Sequence, residues 1–367
     1  MSVTPEPELL GPQIALFEHA LRLHQQHPDG ALPRDGKPYP DEDRHRSRPS
    51  YRRVRDWRLY GVDVAVVLDK HFSQPDTPAS ELVDAFREVY VPIQRNDHIV
   101  AAALRADRQR MRQTGRWLVR HSIDRNAATV GLALLAADWA EEDIPLIQTI
   151  GLLSGHFGPL AAEALQRRRG GAEALMWLAE RVAGWGRVHV VEAICRRGAT
   201  SARAWLLRHA CDGDYLNGYF AGRVATTAHL HEAVTGTDVD DDLVDHTGRL
   251  LRIMADCGGM GMTLEHYPPA PAVLAAHAAL LAKQPPTANR YVDAAIIADH
   301  LTAKPPKRCG CTTEQRDRIV QQYLAILDRQ DWRAAVREGR GMNSDFFAWF
   351  TGHVAGRLRL GAVPDVA

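Results

Sequence analysis

Four short segments with a common pattern decide the fold of this 367-residue chain. They are Trp117-Leu118-Val119-Arg120-His121, Leu146-Ile147-Gln148-Thr149, Trp177-Leu178-Ala179-Glu180-Arg181 and Trp205-Leu206-Leu207-Arg208-His209. The aligned positions Trp117, Ile147, Trp177 and Trp205 are separated by 30, 30 and 28 residues. A repeat of about 20 to 50 residues is typical of proteins built from stacked helical or strand units.

A second apolar stretch follows each of these anchor segments after a polar or glycine-containing break. The second stretches cover residues 130–135, 160–165, 188–194 and 219–224. Each repeat therefore predicts an apolar helix, a short turn and another apolar helix. A single helix pair cannot bury both of its apolar faces, so successive pairs are expected to stack and share a continuous core.

This pattern resembles the HEAT-like (armadillo-type) repeat family, in its short form with one helical hairpin every 30 residues or so, over about residues 95 to 230. The resemblance implies an all-α protein, a HEAT-like helical-repeat solenoid with irregular N- and C-terminal helices. It also implies a curved surface that suits an extended partner. Fold resemblance by itself does not assign an activity.

The sequence divides into three parts: N-terminal helices in 1–94, HEAT-like repeats in 95–235, and C-terminal helical pairs with a cap in 236–367. Residues 27–50 are rich in proline and arginine and lack an apolar period, so we expect a loop or mobile arm there. Helices are expected within 1–25 and at 240–256, 270–283, 288–303, 312–328 and 343–358. Residues 57–72 fit both a helix and a short strand, and we favour a helix because no partner strand is evident.

Composition excludes several classes of protein. Lys plus Arg and Asp plus Glu are both 45, so the chain is not a polycation. The five cysteines are scattered, which fits a reducing compartment. No apolar run is long enough to span a bilayer, and no secretory signal is evident. These observations predict a cytoplasmic protein without a membrane partner, and no motif indicates a cofactor.

One stretch of the chain is strongly basic. Residues 105–125 hold seven arginines against Asp107 and Asp124, a local net charge of +5; the arginines are Arg105, Arg108, Arg110, Arg112, Arg116, Arg120 and Arg125. Arg108, Arg112 and Arg116 have helical spacing and can line one face. This face either binds an acidic partner, nucleic acid included, or is balanced by acidic residues elsewhere in the fold.

The resemblance also implies one enzymatic function as an alternative to binding alone. Some HEAT-like proteins are DNA glycosylases that excise alkylated bases on a basic concave surface, and their motif places a tryptophan four residues before the catalytic aspartate. Trp139 and Asp143 match that spacing. By resemblance, Asp143 would stabilise the cationic sugar and Trp139 would contact the lesion nucleotide. Asp143 also reads as an ordinary acidic residue at a helix start.

Two further clusters have ordinary structural explanations. His229, His231 and the acidic residues from Asp238 to Asp245, with His246, offer metal-ligand chemistry, but their spacing better fits an acidic loop that caps a helix near Asp241. The glycine-rich stretch 257–262 fits a helix stop and a tight turn. No metal site is predicted.

The tryptophans fall into two groups. Trp117, Trp177 and Trp205 recur with the repeat, so they are expected in the core. Trp185 lies between glycines in a predicted turn, where its ring is expected to be exposed.

The sequence favours a binding or scaffold protein over an enzyme, with a protein or peptide as its partner. The expected partner-binding residues are Arg112, Arg116, Arg120, Trp185 and Arg187, and His156, His189 and His209 are expected on neighbouring turns. The apolar segment 346–350 is expected to cap the core or to dock on another chain.

Overall fold

The computed structural model describes residues 14–47, 56–198, 200–337 and 344–360. Within these ranges all regular secondary structure is helical and no β-strand occurs, which confirms the all-α prediction. The chain forms two compact units, residues 1–197 and residues 198–367. None of the described helices is both long and apolar enough to cross a membrane.

Eleven α-helices are described in the first unit. They are α1 Leu16–Gln26, α2 Glu42–Arg46, α3 Val62–Phe72, α4 Glu81–Ala85, α5 Asp97–Arg105, α6 Arg108–His121, α7 Arg125–Ala136, α8 Ile144–Gly151, α9 Ser154–Gln166, α10 Gly171–Ala179 and α11 Gly184–Arg197. Short 3₁₀ helices lie at Pro33–Gly36, Trp57–Leu59 and Glu141–Asp143. The helices expected within 1–25 and 57–72 are present as α1 and α3.

The helices of the repeat region pack in successive pairs. Helix α6 packs on α7, α8 on α9 and α10 on α11. The second helices also contact one another in the order α7, α9, α11, and the first helices do so in the order α6, α8, α10. Every residue of α7 is buried because neighbouring helices cover it on all sides. The apolar repeats of the sequence thus supply the core of this unit.

Short polar side chains determine where several of these helices begin. Asn96, Asp107 and Asp124 accept hydrogen bonds from backbone N–H groups in the first turns of α5, α6 and α7. These groups have no partner within the helix itself, so a side-chain acceptor just before the helix stabilises its start.

The repeated tryptophans are buried to different extents. Trp205 is buried, as predicted, but Trp117 and Trp177 are only half-buried. Leu118 and Leu178, the next residues along the chain, are the fully buried side chains at those turns. The Trp177 ring lies beside His24 and under the guanidinium of Arg181, 4.5 Å from its centre. The expectation that all three are core residues is therefore correct only for Trp205.

The loop or arm predicted at 27–50 is described up to residue 47, and it packs against the other helices of the first unit. Leu32, Tyr39 and Asp41 are buried. The carboxylate of Asp35 accepts hydrogen bonds from the Ser154 hydroxyl and the Gly155 N–H at the start of α9, at 2.6 and 2.7 Å. A few specific side chains, rather than an apolar period, attach this segment to the unit.

The second unit is also helical. Its α-helices are α12 Arg203–His209, α13 Ala221–Thr227, α14 Leu230–Thr235, α15 Asp241–Asp256, α16 Ala270–Leu281, α17 Ala288–Ala303, α18 Thr313–Leu327, α19 Gln330–Arg337, α20 Ser344–Phe350 and α21 Gly356–Leu358. Short 3₁₀ helices lie at Tyr215–Tyr219, Leu264–His266 and Pro306–Cys309, and a π-helical turn at Thr351–Ala355 joins α20 to α21.

Helices α15 and α17 form the centre of this unit. Helix α15 contacts α12, α13, α16 and α17, and α17 also contacts α18 and α19. Side chains of Asp240, Thr287 and Thr312 cap α15, α17 and α18. The helices predicted at 240–256, 270–283, 288–303, 312–328 and 343–358 are confirmed within a few residues at each end.

Candidate functional site

The basic face of α6 forms a row of ion pairs, which we call the arginine ladder. Arg108 and Arg112 both donate to the carboxylate of Asp138, at 2.8 and 2.6 Å. Arg116 donates to Asp143 at 2.5 Å and to Glu142 at 2.9 Å. The acceptors lie in the segment between α7 and α8, which returns past α6 because α6 and α7 pack as a pair. The predicted helical spacing is observed, and its charges are balanced inside the fold.

Asp138 lies at the buried end of this ladder. Burial alone would raise the pKa of its carboxyl, but the hydrogen bonds from Arg112 and Arg108 outweigh burial and lower the pKa to about 2. Because the pKa is depressed in the folded state, the carboxylate stabilises the fold above its ordinary pKa. That contribution is lost as the pH falls towards 2.

We expect Asp138→Asn to lower the free energy of unfolding by about 1–3 kcal/mol at pH 7, because two guanidinium groups lose a charged acceptor. The difference from the wild type should shrink as the pH falls from about 4 towards 2, because the unfolded chain then takes up a proton on this carboxyl while the folded state still holds it ionised. Urea unfolding at several pH values measures both effects. Glu142→Gln is the matched control, since Glu142 is largely exposed and its substitution should change stability much less than Asp138→Asn does. A constant difference at all pH values would contradict this role of Asp138.

Most other arginines of the 105–125 stretch also bond within the fold, either to carboxylates or to backbone carbonyls. Arg105 pairs with Asp69, and Arg110 donates to backbone carbonyls at positions 71, 72 and 74. Arg125 is buried and pairs with Asp41. Arg120 is exposed, and none of the described residues bonds to it. The local charge of +5 is therefore largely neutralised by carboxylates far away in sequence.

Trp139 and Asp143 differ in their exposure to solvent. Trp139 is 55% exposed, with the guanidinium of Arg108 4.5 Å from its ring centre. Asp143 is buried and bonded to Arg116, and it makes no capping hydrogen bond to α8. Beneath this segment the fully buried Arg168 donates to the carbonyl of Ala140. The tryptophan faces solvent, whereas the aspartate belongs to the internal ion-pair network.

A second surface in the first unit is formed by the outer faces of α9 and α11, which approach closely where Gly158 lies against Gly186. We call it the α9–α11 surface. It consists of the exposed and half-buried side chains of His156, Pro159, Glu163, Arg167, Trp185, His189, Glu192 and Arg196. Their spacing along each helix places them on one face.

The α9–α11 surface has an aromatic end and a charged end. Trp185 is 48% exposed and stacks on His189, with ring centres 6.2 Å apart. Burial lowers the pKa of His189, and it lowers the pKa of His156 to about 4, so both rings are neutral at pH 7. At the other end, Arg196 bonds to Gln166 and pairs with Glu192. An aromatic patch beside paired charges is typical of protein-binding surfaces.

Trp185 itself is exposed, as predicted, but it lies in the first turn of α11 rather than in a separate turn. Arg187 does not share its surface. The Arg187 side chain is buried and donates to the carbonyl of Ala179 at 2.7 Å, because it points between α10 and α11. His209, exposed on α12, belongs to the second unit, unlike His156 and His189.

The acidic stretch before α15 is a helix start, as its spacing indicated. Asp240 caps α15 through the Leu243 N–H, and Asp241 and Asp245 pair with Arg290. The buried His246 accepts a hydrogen bond from the Cys211 N–H at 3.0 Å. In the described ranges, no three His, Cys, Asp or Glu side chains are grouped so that they could hold a metal ion.

No family model, curated protein or solved structure matches this chain.

Sequence reasoning did not find the partners of the arginines or the charged end of the α9–α11 surface. Arg116 and Asp143 are 27 residues apart, and Arg196 and Gln166 are 30 apart. The sequence separation of 30 residues between Arg196 and Gln166 equals the repeat length. A comparison of equivalent positions in successive second helices could therefore have revealed this bond.

Proposed function

We propose that this chain is a binding protein whose α9–α11 surface engages a peptide segment of a partner protein. The observation that carries this proposal is Trp185, a large ring that is half exposed on a close-packed pair of helices and stacked on a neutral histidine. Tryptophan side chains held in this way are the usual anchors of protein interfaces. Stacking limits the motion of the ring, so less conformational entropy is lost on binding.

A HEAT-like solenoid is the architecture that we propose for the helical pairs of the repeat region. Two observations support it: the period of about 30 residues in the sequence, and the packing of second helices on second helices and first helices on first helices in α6–α11. In such an array the outer faces of neighbouring second helices lie side by side. The α9–α11 surface is one such pair of faces.

A peptide fits this surface better than a polyanion does. Phosphate binding draws on basic side chains that are free to replace the counterions of the nucleic acid. Arg112 and Arg116 are bound to carboxylates, and on the α9–α11 surface Arg167 and Arg196 pair with Glu163 and Glu192. The nucleic-acid alternative, including a glycosylase that uses Trp139 and Asp143, would also need Asp143 to leave its buried pair with Arg116.

The test is selection of short random peptides on the full-length wild-type chain, followed by affinity measurement with purified variants. We expect Trp185→Ala to weaken the selected peptides about tenfold or more, since truncating a hot-spot residue costs about 2 kcal/mol or more. The matched control is Trp139→Ala, which removes a ring of similar exposure at a different site and should leave the affinity unchanged.

Two results would contradict the proposal. The first is equal peptide binding by the wild type and Trp185→Ala. The second is loss of binding in Trp139→Ala but not in Trp185→Ala, which would move the site to the 138–143 segment. DNA duplex binding that collapses between about 50 and about 200 mM salt would favour the nucleic-acid alternative instead.

A further inference from the structure

A pocket of about 500 Å³ lies in the second unit, separate from the α9–α11 surface. Its walls come from α15, α17 and α20, from the loop that follows α15, and from the residues at the start of the 3₁₀ helix Tyr215–Tyr219. Small-molecule sites in proteins usually have volumes of about 300 to 1,000 Å³, so this pocket can hold a whole ligand rather than a single water.

The lining of the pocket is mainly apolar and includes three aromatic rings. Tyr215 is 75% exposed and Trp349 is 41% exposed, although both line a concave site. Trp349 stacks on Phe346 and on His353, with ring centres 5.7 and 6.0 Å apart, and part of its ring stays exposed. Exposed parts of aromatic rings in a pocket offer a surface for apolar and cation–π contacts.

The charged groups of the pocket leave an excess of negative charge. Arg252 is the cation in the lining, and its Nε lies 3.2 Å from Asp293, so its charge is already balanced. Asp214 and Asp256 also line the pocket. The Asp256 carboxylate is exposed, and it forms no hydrogen bond or ion pair with any residue that the structure describes. A ligand that brings a positive charge would complement these two carboxylates.

We propose that this pocket binds an organic cation, an ammonium group carried on an apolar or aryl body. The rings of Trp349 and Tyr215 would contact the cation and its body, and Asp256 would supply the compensating charge. A methylated ammonium suits the site because weak hydration makes its transfer to an aromatic surface less costly. This proposal does not depend on the peptide-binding function, since its residues all lie in the second unit.

The test is calorimetric titration of the full-length protein with benzyltrimethylammonium. Benzyl alcohol serves as a neutral aryl probe and benzenesulfonate as an anionic one. We expect saturable binding of the cation and at least about tenfold weaker binding of the other two. Trp349→Ala and Asp256→Asn should each weaken the cation about tenfold, and Trp185→Ala, whose ring lies in the other unit, should bind it as the wild type does.

Both pocket substitutions replace exposed side chains, so the variants are expected to fold, and thermal unfolding checks this. Three results would overturn the proposal: no saturable binding of the cation, binding of benzyl alcohol or benzenesulfonate as tight as that of the cation, or wild-type affinity in both Trp349→Ala and Asp256→Asn.

Discussion

Replacing Asp41 with alanine is expected to lower the free energy of unfolding by about 3–5 kcal/mol, because it leaves a buried guanidinium without its main counter-charge. Asp41 is 0% exposed, and Arg125 is 6% exposed. One oxygen of Asp41 accepts from Arg125 Nη2 at 2.8 Å, and the other accepts from the Arg125 backbone N–H at 2.9 Å. The same carboxylate therefore attaches residues 27–47 to the start of α7.

The matched control for this prediction is Asp43→Ala, two residues along the same segment. The side chain of Asp43 is 91% exposed and pairs with Arg46 on the surface, so its loss should cost less than about 1 kcal/mol. Urea unfolding measures both variants. Adding Arg125→Met to Asp41→Ala should recover part of the stability, since the uncompensated charge is then gone. Equal effects of the two aspartate variants would show that the segment is not held through Asp41.

The helices could be predicted because the apolar periods and capping residues that specify them lie within short stretches of sequence. The apolar periods around 117, 147, 177 and 205 predicted α6, α8, α10 and α12, and Asp240 ahead of an apolar run predicted the start of α15. The three-part division of the chain in the sequence analysis stays a prediction.

The attachment of residues 27–47 could not be predicted because it depends on partners far away in the chain. Asp41 and Arg125 are 84 residues apart, and Asp35 bonds to Ser154 at a separation of 119. A segment held by a few such contacts has the composition of a loop, although three of its side chains, Leu32, Tyr39 and Asp41, are buried. The half-burial of Trp117 has a similar cause, since a periodic position does not say which side of its helix faces the neighbouring pair.

The candidate site was predictable only in its aromatic part. The glycines around Trp185 indicated exposure, which the structure shows. The flanking glycines did not indicate that Arg187 lies on the opposite side of the helix from Trp185. A two-residue step along a helix turns a side chain by about 200°, so residues that are neighbours in sequence can face opposite sides. Once 184–197 is helical, an exposed Trp185 places Arg187 against α10.

Replacing Gly131 with alanine is expected to destabilise the first unit by about 2 kcal/mol or more. Gly131 lies in the middle of α7, where an alanine Cβ would be 2.6 Å from Leu118 Cβ, 2.9 Å from the Gly115 carbonyl oxygen and 3.0 Å from the Val119 nitrogen. Two of these atoms belong to the backbone of α6, so the helices would have to separate. Overpacking of this kind costs about 1–3 kcal/mol or more, which exceeds the gain of about 1 kcal/mol in helix propensity.

Gly158→Ala separates this steric effect from the general effect of alanine in a helix. Gly158 is also a buried glycine inside a helix of the first unit, but its Cβ would lie 3.5 Å from the nearest atoms, which is ordinary contact. We therefore expect this variant to be stabilised by up to about 1 kcal/mol in urea unfolding. The free energy of unfolding should fall in Gly131→Ala and rise in Gly158→Ala only if α6 and α7 are as close as the structure places them. Stabilisation in both variants would mean that α6 and α7 pack more loosely than the structure places them.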